Sequence, residues 1–548
     1  MPVLDSSFFA GSDDLPDALK CDVCIIGTGP AGMTIARELS GTPLRVTLLE
    51  SGGTERQAET DALNDIESVG WPRVMDQWLV RNRIVGGSSS TWTGRCAPFD
   101  DIDLQSRDWV PYSGWPFKID DIMSYIDRSA KYLGLGVGNG ITDDRIWALS
   151  GHQPLKIDLD SEKLIPMFWQ FSRDAVNQFD RTRFDRLTPD LGHNVTLVTN
   201  ATVLRVNATG SASAVESVDF AGIGGRQWTL PASTVVLCAG GIENARILLS
   251  SDNAAAHGLG NGKDLVGRFL MDHPRGTVAR FPLKGAKEVL SRFAIFKSRA
   301  AGANLYQPGM RLSPAIQRSE QLLNCSTWVD ERLAPDDPWD TLIHFLRREP
   351  NSRPDFRAML ANSGLLLYGL KEHFISHRTL PRKLAEVTLE AMCEQVPNPD
   401  SRIVLSERRD RLGMKISCIN WRVSGDEARA MRRIARLMVG QLSRMGIESP
   451  VLEEWVQDEA MFPQTIRDVA HPTGTTRMAD DPAQGVVDAH CQVHGVHGLF
   501  IAGSSVFPTT GQANPTQMIV ALALRLADTL KNRAASVTEI REGETAGS

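Results

Sequence analysis

The chain has 548 residues, 42% of them hydrophobic and 23% charged, with a formal net charge of −7. That length exceeds what one hydrophobic core organises, so two domains or one with large insertions are expected, and the acidic balance argues against nucleic acid as a partner. No run of 18 apolar residues and no basic, apolar leader occurs, so neither a membrane span nor a secretory signal is expected, and eight scattered cysteines read as reduced thiols of a cytoplasmic protein.

Residues 1–20 are polar and read as a loosely held arm. Residues 23–26, VCII, suit a strand buried on both faces. The turn GTGPAG follows, then a helical pattern carrying Met33, Ile35, Ala36 and Leu39, then a second apolar run that ends in Glu50. This strand–turn–helix–strand unit carries a dinucleotide fingerprint. Gly27 permits the tight turn, Gly29 removes the Cβ that would hold a pyrophosphate away, and Gly32 lets helix and strand pack closely. The helix start offers free N–H groups to phosphate. Glu50 accepts hydrogen bonds from ribose hydroxyls and repels a 2′-phosphate. Cys21-x-x-Cys24 spans the strand without a tight turn and reads as core packing rather than a redox pair.

Residues 51–80 have no clear period. The loop RNRIVGGSSSTWTGR, residues 81–95, is rich in N–H and hydroxyl donors and can cradle phosphate or a polar ring edge. Residues 107–117 read as an aromatic surface turn, and 120–133 as an amphipathic helix. Residues 150–192 hold mixed helix signals, whereas 194–206 alternate like a pair of strands. Residues 228–240 end in a buried strand, and Gly240-Gly241 opens a helix over 242–249. Residues 340–385 are helical in pattern and carry Arg347, Arg348, Arg353, Arg357, Lys371, Arg378, Arg382 and Lys383. This basic stretch is a solvated helix face or a docking surface for an acidic partner. Strands are expected at 392–405 and 413–421 around the turn PNPD, and a strong helix over 424–446.

The segment 471–517 contains HPTGTTRM, GVVD, LFIAGSSVFP and GQANPTQ, followed by an alanine-rich helix over 518–530. Pro515 suits a first helical position. His490, Cys491, His494 and His497 have the spacing of a metal run but sit in a turn-rich region, so no metal is expected. The tail 534–548 reads as disordered.

Taken together, GTGPAG…E, VGGSS, HPTGTTRM, GVVD, AGSSVFP and ANPTQ resemble the glucose–methanol–choline (GMC) oxidoreductases. The pattern is most like the branch of pyranose oxidases and bacterial sugar or glycoside dehydrogenases, which carry a His and an Asn where others carry two His. The resemblance implies an α/β fold: a Rossmann-type FAD domain plus an α+β substrate domain of sheet and helices. It implies an FAD-binding domain whose first part, with substrate-domain insertions, is 1–275 and whose second part is 465–533, with a substrate domain at 276–464. It makes His471 and Asn514 the catalytic pair for removing a proton and a hydride from a CH–OH group. Cofactor contacts are expected from Gly27, Gly29, Pro30, Ala31, Gly32, Glu50, Ser51, Arg83, Gly86, Gly87, Ser88, Thr93, Val203, Ala239, Gly240, Gly503, Ser504, Pro515 and Thr516. Gln395 is the expected substrate contact, and His273 is read as structural or supporting. The loop SSSTWT has Thr91 where some pyranose oxidases carry a tethering His, so non-covalent FAD is expected. The implied partners are a small hydroxylated substrate such as a sugar, O2 or another electron acceptor, and a possible small subunit or cytochrome.

Overall fold

A computed structural model describes residues 1–9, 15, 19–136, 160–175, 177, 180–297, 304–339, 342, 356–374, 382–463 and 465–546. The apolar runs Val23–Ile26, Val46–Leu49, Val195–Thr199 and Val235–Leu237 are buried along their whole length. Such strands need cover on both faces, and all join one parallel sheet. Its spatial order is Val3–Asp5, Val195–Thr199, Val46–Leu49, Val23–Ile26, Val235–Leu237, Leu499–Ile501. Strand order reverses at Val23–Ile26, which opens a crevice at the carboxyl ends of the strands there. The helices Pro30–Leu39 and Thr516–Ala546 pack against each other, so the two ends of the chain build one layer.

A second sheet of eight strands is antiparallel and drawn mainly from the middle of the chain. It runs Val451–Leu452, Arg275–Arg280, Leu384–Cys393, Cys325–Leu333, Leu305–Leu312, Leu164–Phe171, Arg95–Cys96, with Phe296–Lys297 beside Leu305–Leu312. Gly425–Arg444 lies on it. Ser424 and Glu427 form a capping box at its start, and Met431, Ile434, Ala435, Met438 and Leu442 supply the buried stripe. Gln227–Pro231 belongs to a separate three-stranded sheet.

Several expectations are corrected. The start of the amino-terminal arm, residues 1–9, is tied down: Val3–Asp5 pairs with Val195–Thr199 and Ser6 Oγ donates to Asn200 O at 2.6 Å. A three-residue strand is too short to show a period, but an open sheet edge rewards it with backbone hydrogen bonds. Within 150–192, Leu164–Phe171 is a strand; a buried strand and a helical segment look alike when apolar residues are continuous. Residues 150–159 lie outside the described part. The aromatic turn at 107–117 is not superficial: Trp115 is buried, donating Nε1–H to Thr509 Oγ1 at 2.8 Å, and Arg107 is buried in a pair with Glu394. Residues 392–405 divide between two sheets, Leu384–Cys393 and Arg402–Arg409. The last helix runs to Ala546 instead of ending at 530, because no proline or glycine pair interrupts it before then. Of the basic stretch, Arg382 pairs with Asp337 and Lys383 with Asp336, while Arg347, Arg348, Arg353 and Arg378 lie outside the described residues.

Candidate active site

The crevice at the strand ends holds a cleft of about 490 Å³. Its first wall is the turn after Val23–Ile26: Gly27, Gly29, Pro30 and Ala31 line it. A Cβ placed on Gly29 would meet no atom within 4 Å, so this glycine faces the open cleft, as a backbone that must touch a ligand requires. Gly32 does not line the cleft. A Cβ there would lie 2.0 Å from Gly27 O, so its smallness serves helix–strand packing.

Glu50 and Ser51 follow the next strand. The buried Glu50 carboxylate accepts from Thr28 N at 3.0 Å, Thr28 Oγ1 at 2.6 Å and Gly52 N at 3.0 Å. Burial raises its pKa against these hydrogen bonds. Arg83 lines the cleft while donating to Ser51 Oγ at 3.0 Å and Glu243 Oε2 at 2.9 Å. Burial alone would raise the Glu243 pKa; Arg246, Arg83 and Arg81 reverse that and bring it to about 2. Gly87, Ser88, Thr93, Val203, Ala239, Gly240, Gly503 and Ser504 also line the cleft. Gly86 does not: its N–H donates to Thr28 Oγ1 at 3.1 Å and its Cα packs on Asp185, which fixes the loop to the first turn.

The opposite end brings His471 and Asn514 into the same cleft with Pro515 and Thr516. The helix begins at Thr516, one residue after Pro515, whose carbonyl accepts from Ile519 N at 2.9 Å. Gln395 is corrected. It is fully buried at the sheet junction, its Oε1 accepting from Asp272 N at 2.7 Å and Trp421 Nε1 at 2.9 Å and its Nε2 donating to Arg422 O, so it lies outside the cleft with its amide committed.

Sequence reasoning missed what holds His471. Asp272 Oδ1 accepts from Val469 N at 3.2 Å and His471 N at 3.1 Å. These bonds clamp Ala470 between them at φ 59°, a left-handed conformation costly for a residue with a Cβ. Asp272 is itself held by buried Arg73, 2.7 Å away, which also reaches Asp468 at 2.9 Å. Burial pushes the Asp272 pKa up, but Arg73 and the imidazoles bring it below the usual carboxylate value. The only signal available in the sequence was that Met-Asp-His-Pro places an acid beside a histidine.

The histidine tautomers follow from geometry. His273 Nε2 lies 3.1 Å from Gly511 O and 3.4 Å from Thr510 O. A carbonyl only accepts, so Nε2 carries the hydrogen and the lone pair of neutral His273 is on Nδ1. That atom sits 3.1 Å from His471 Nδ1, which therefore donates, leaving the lone pair of His471 on Nε2. Burial, then His273, hold the His471 pKa down to about 3 against the pull of Asp272. Among the described residues, Asp272, His273 and His471 are the one group able to surround a metal ion, with ligand atoms within 4.8 Å. Asp272 has both oxygens engaged by N–H donors, so its carboxylate is already spent on the protein. The His490–His497 run forms no such group, and His494 Nε2 hydrogen-bonds Ala479 O at 2.9 Å.

Residues 397–523 match the family model described as GMC oxidoreductase. With the fold and cleft above, the chain is similar to the GMC oxidoreductases over that segment, and the likeness is to FAD-dependent oxidoreductases acting on alcohol groups. It is 26% identical to the fructose dehydrogenase large subunit of Gluconobacter japonicus over 61% of this chain and 54% of that one. It is 25% identical to the 6'''-hydroxyparomomycin C oxidase of Streptomyces lividus over 94% of this chain and 92% of that one. Among solved structures, formate oxidase matches with a TM-score of 0.57 at 16% identity, covering 94% of this chain and 99% of that one. The cleft fits the flavin nucleotide on its own terms: Gly29 leaves space where a Cβ would stand, and the buried Asn514 Oδ1 has no hydrogen-bond partner among the described residues. No helix among the described residues is long and apolar enough to cross a membrane.

Proposed function

We propose that this enzyme oxidises a CH–OH group of a sugar, glycoside or related polyol to a carbonyl. FAD, when bound, supplies the hydride acceptor. The Gly27–Gly32 turn and helix start would take its pyrophosphate, Glu50 its ribose, and Gly503, Ser504 and the Thr516 helix start its ring end. His471 Nε2 takes the hydroxyl proton, because a neutral imidazole is a base of suitable strength. Asn514 holds the hydroxyl oxygen through its amide without competing for that proton. The observation that carries this reading is the His273–His471 contact, which leaves a lone pair on the nitrogen facing away from His273. Residues 1–275, with insertions such as Arg95–Cys96 and Leu164–Phe171 that join the large sheet, and 465–533 would form the FAD-binding part and 276–464 the substrate part. FAD is bound without a covalent tether, since SSSTWT offers no His. The electron acceptor is O2 or another oxidant, a small subunit or cytochrome among them.

Steady-state assays with a dye acceptor, comparing glucosides with simple aryl and aliphatic alcohols, test the substrate class. Turnover of the simple alcohols alone would remove the sugar assignment. A second reading is a tailoring oxidase for a larger hydroxylated natural product, favoured by the end-to-end likeness to a hydroxyparomomycin oxidase.

A further inference from the structure

Among the described residues, the eight-stranded sheet reaches the cleft through one side chain, Arg95. It stands on the edge strand Arg95–Cys96, two residues after Thr93. Its guanidinium lies over three rings, 5.3 Å from the Trp328 centroid, 5.6 Å from Phe171 and 6.0 Å from Trp169. Arg275 occupies another approach to Trp328, at 4.8 Å, but Arg275 is neutralised by Glu390 and Asp330, both 2.9 Å away. Arg95 has no ion pair among the described residues. Burial, then the charge of Arg275, lower its pKa to about 10 against the pull of Asp330 and Glu390.

A second observation points the same way. Trp169 and Trp328 are buried, their rings 5.2 Å apart, and neither indole N–H has an acceptor among the described residues. A buried donor without an acceptor costs free energy unless a ligand or water satisfies it. Neither Trp lines the cleft, so the guanidinium is the donor that faces it while the two rings lie behind. We propose that Arg95, backed by Trp169 and Trp328, is an anion subsite of the substrate cleft, and that the preferred substrate carries a carboxylate beside its oxidisable hydroxyl. A carboxylate matches the planar fork of a guanidinium, and the aromatic faces hold that fork in place. A phosphate or sulfate ester shares the acceptor chemistry and is separated from a carboxylate by experiment.

The inference rests on the proposed alcohol oxidation, so its test has one readout that needs no turnover. In the flavin-loaded protein, benzoate and phenyl phosphate are titrated while the flavin absorption spectrum is followed. Saturable perturbation by benzoate, weakened at least tenfold in Arg95→Gln and partly restored in Arg95→Lys, supports the subsite. No perturbation, or the same affinity in Arg95→Gln, overturns it, and a stronger response to phenyl phosphate replaces the carboxylate with a phosphate ester. Turnover is then compared for phenyl β-glucuronide, phenyl β-glucoside and phenyl β-glucosaminide. The expected order of kcat/KM is anionic over neutral over cationic, the first step at least tenfold, with Arg95→Gln removing the preference. Equal rates on all three in the native enzyme overturn the inference. Lack of oxidation of any sugar counts against the proposed function and leaves the titration to decide the subsite. Loss of FAD in Arg95→Gln with an unchanged anion preference would assign Arg95 to the cofactor instead.

Discussion

His273 Nδ1 and His471 Nδ1 lie 3.1 Å apart with their rings at 87°. Two neutral imidazoles in such contact share one hydrogen, and the carbonyls of Thr510 and Gly511 at the far side of His273 decide which ring owns it. His273 thereby acts as a positioning residue: it fixes the tautomer of the base without touching the cleft.

Replacing His471 by Ala removes the proposed base and leaves the Gly27–Gly32 turn intact. Flavin reduction by substrate, followed by stopped-flow absorbance, is expected to slow by about 10²–10⁴-fold with FAD still bound. Undiminished reduction would remove His471 from the mechanism.

His273→Phe deprives His471 Nδ1 of its acceptor and releases the tautomer. Reduction is expected to slow by at least about tenfold, whereas His273→Asn, whose amide oxygen can accept, recovers part of the loss. Equal rates in the two variants would reduce His273 to a packing residue.

The pH dependence follows from the depressed pKa of His471, at about 3 against 6.5 for a free histidine. A base works when unprotonated, so the acid limb of flavin reduction should lie well below pH 6.5. The linkage has the same sign: below 6.5 the unfolded chain binds a proton that the folded chain refuses, so His471 lowers stability progressively as pH falls. An acid limb at or above 6.5 contradicts the buried neutral imidazole.

Gly29→Ala and Gly32→Ala should separate. The first adds a methyl group to the open cleft and is expected to weaken FAD binding while the apoprotein melts normally. The second forces a methyl group to within 2.0 Å of Gly27 O and should lower the melting temperature with or without FAD.

Arg73 holds two buried carboxylates, Asp272 and Asp468. Arg73→Met strands both; the cost is expected at about 3–5 kcal/mol in chemical denaturation, together with loss of the Ala470 conformation and hence of activity. A stability change below about 1 kcal/mol would show that water replaces the guanidinium.

Much of this was legible in the sequence because its causes are local. The turn at 27–32 is glycine-rich for reasons of backbone space, and Glu50 ends a strand whose length the apolar run sets. The motifs 471–478 and 511–517 pointed to side chains that line the same cleft, although they stand more than 400 residues from the first turn. Gln395 misled because a polar residue at a strand end looks free until its neighbours are known; Trp421 and Asp272 already use its amide. Gly86 misled similarly: its position beside Gly87 gave no hint that it packs on Asp185.

The amino acids alone carried the nucleotide-binding pattern, the flavin expectation and the choice of His471 as the proposed base, since each depends on residue types at short spacing. Only the tertiary structure decided which nitrogen of His471 is free, that Asp272 and Arg73 brace it, and that Arg95 is the charge the large sheet sends into the cleft. Those facts are distances between segments remote along the chain, and no local pattern of propensity or hydrophobic period encodes them.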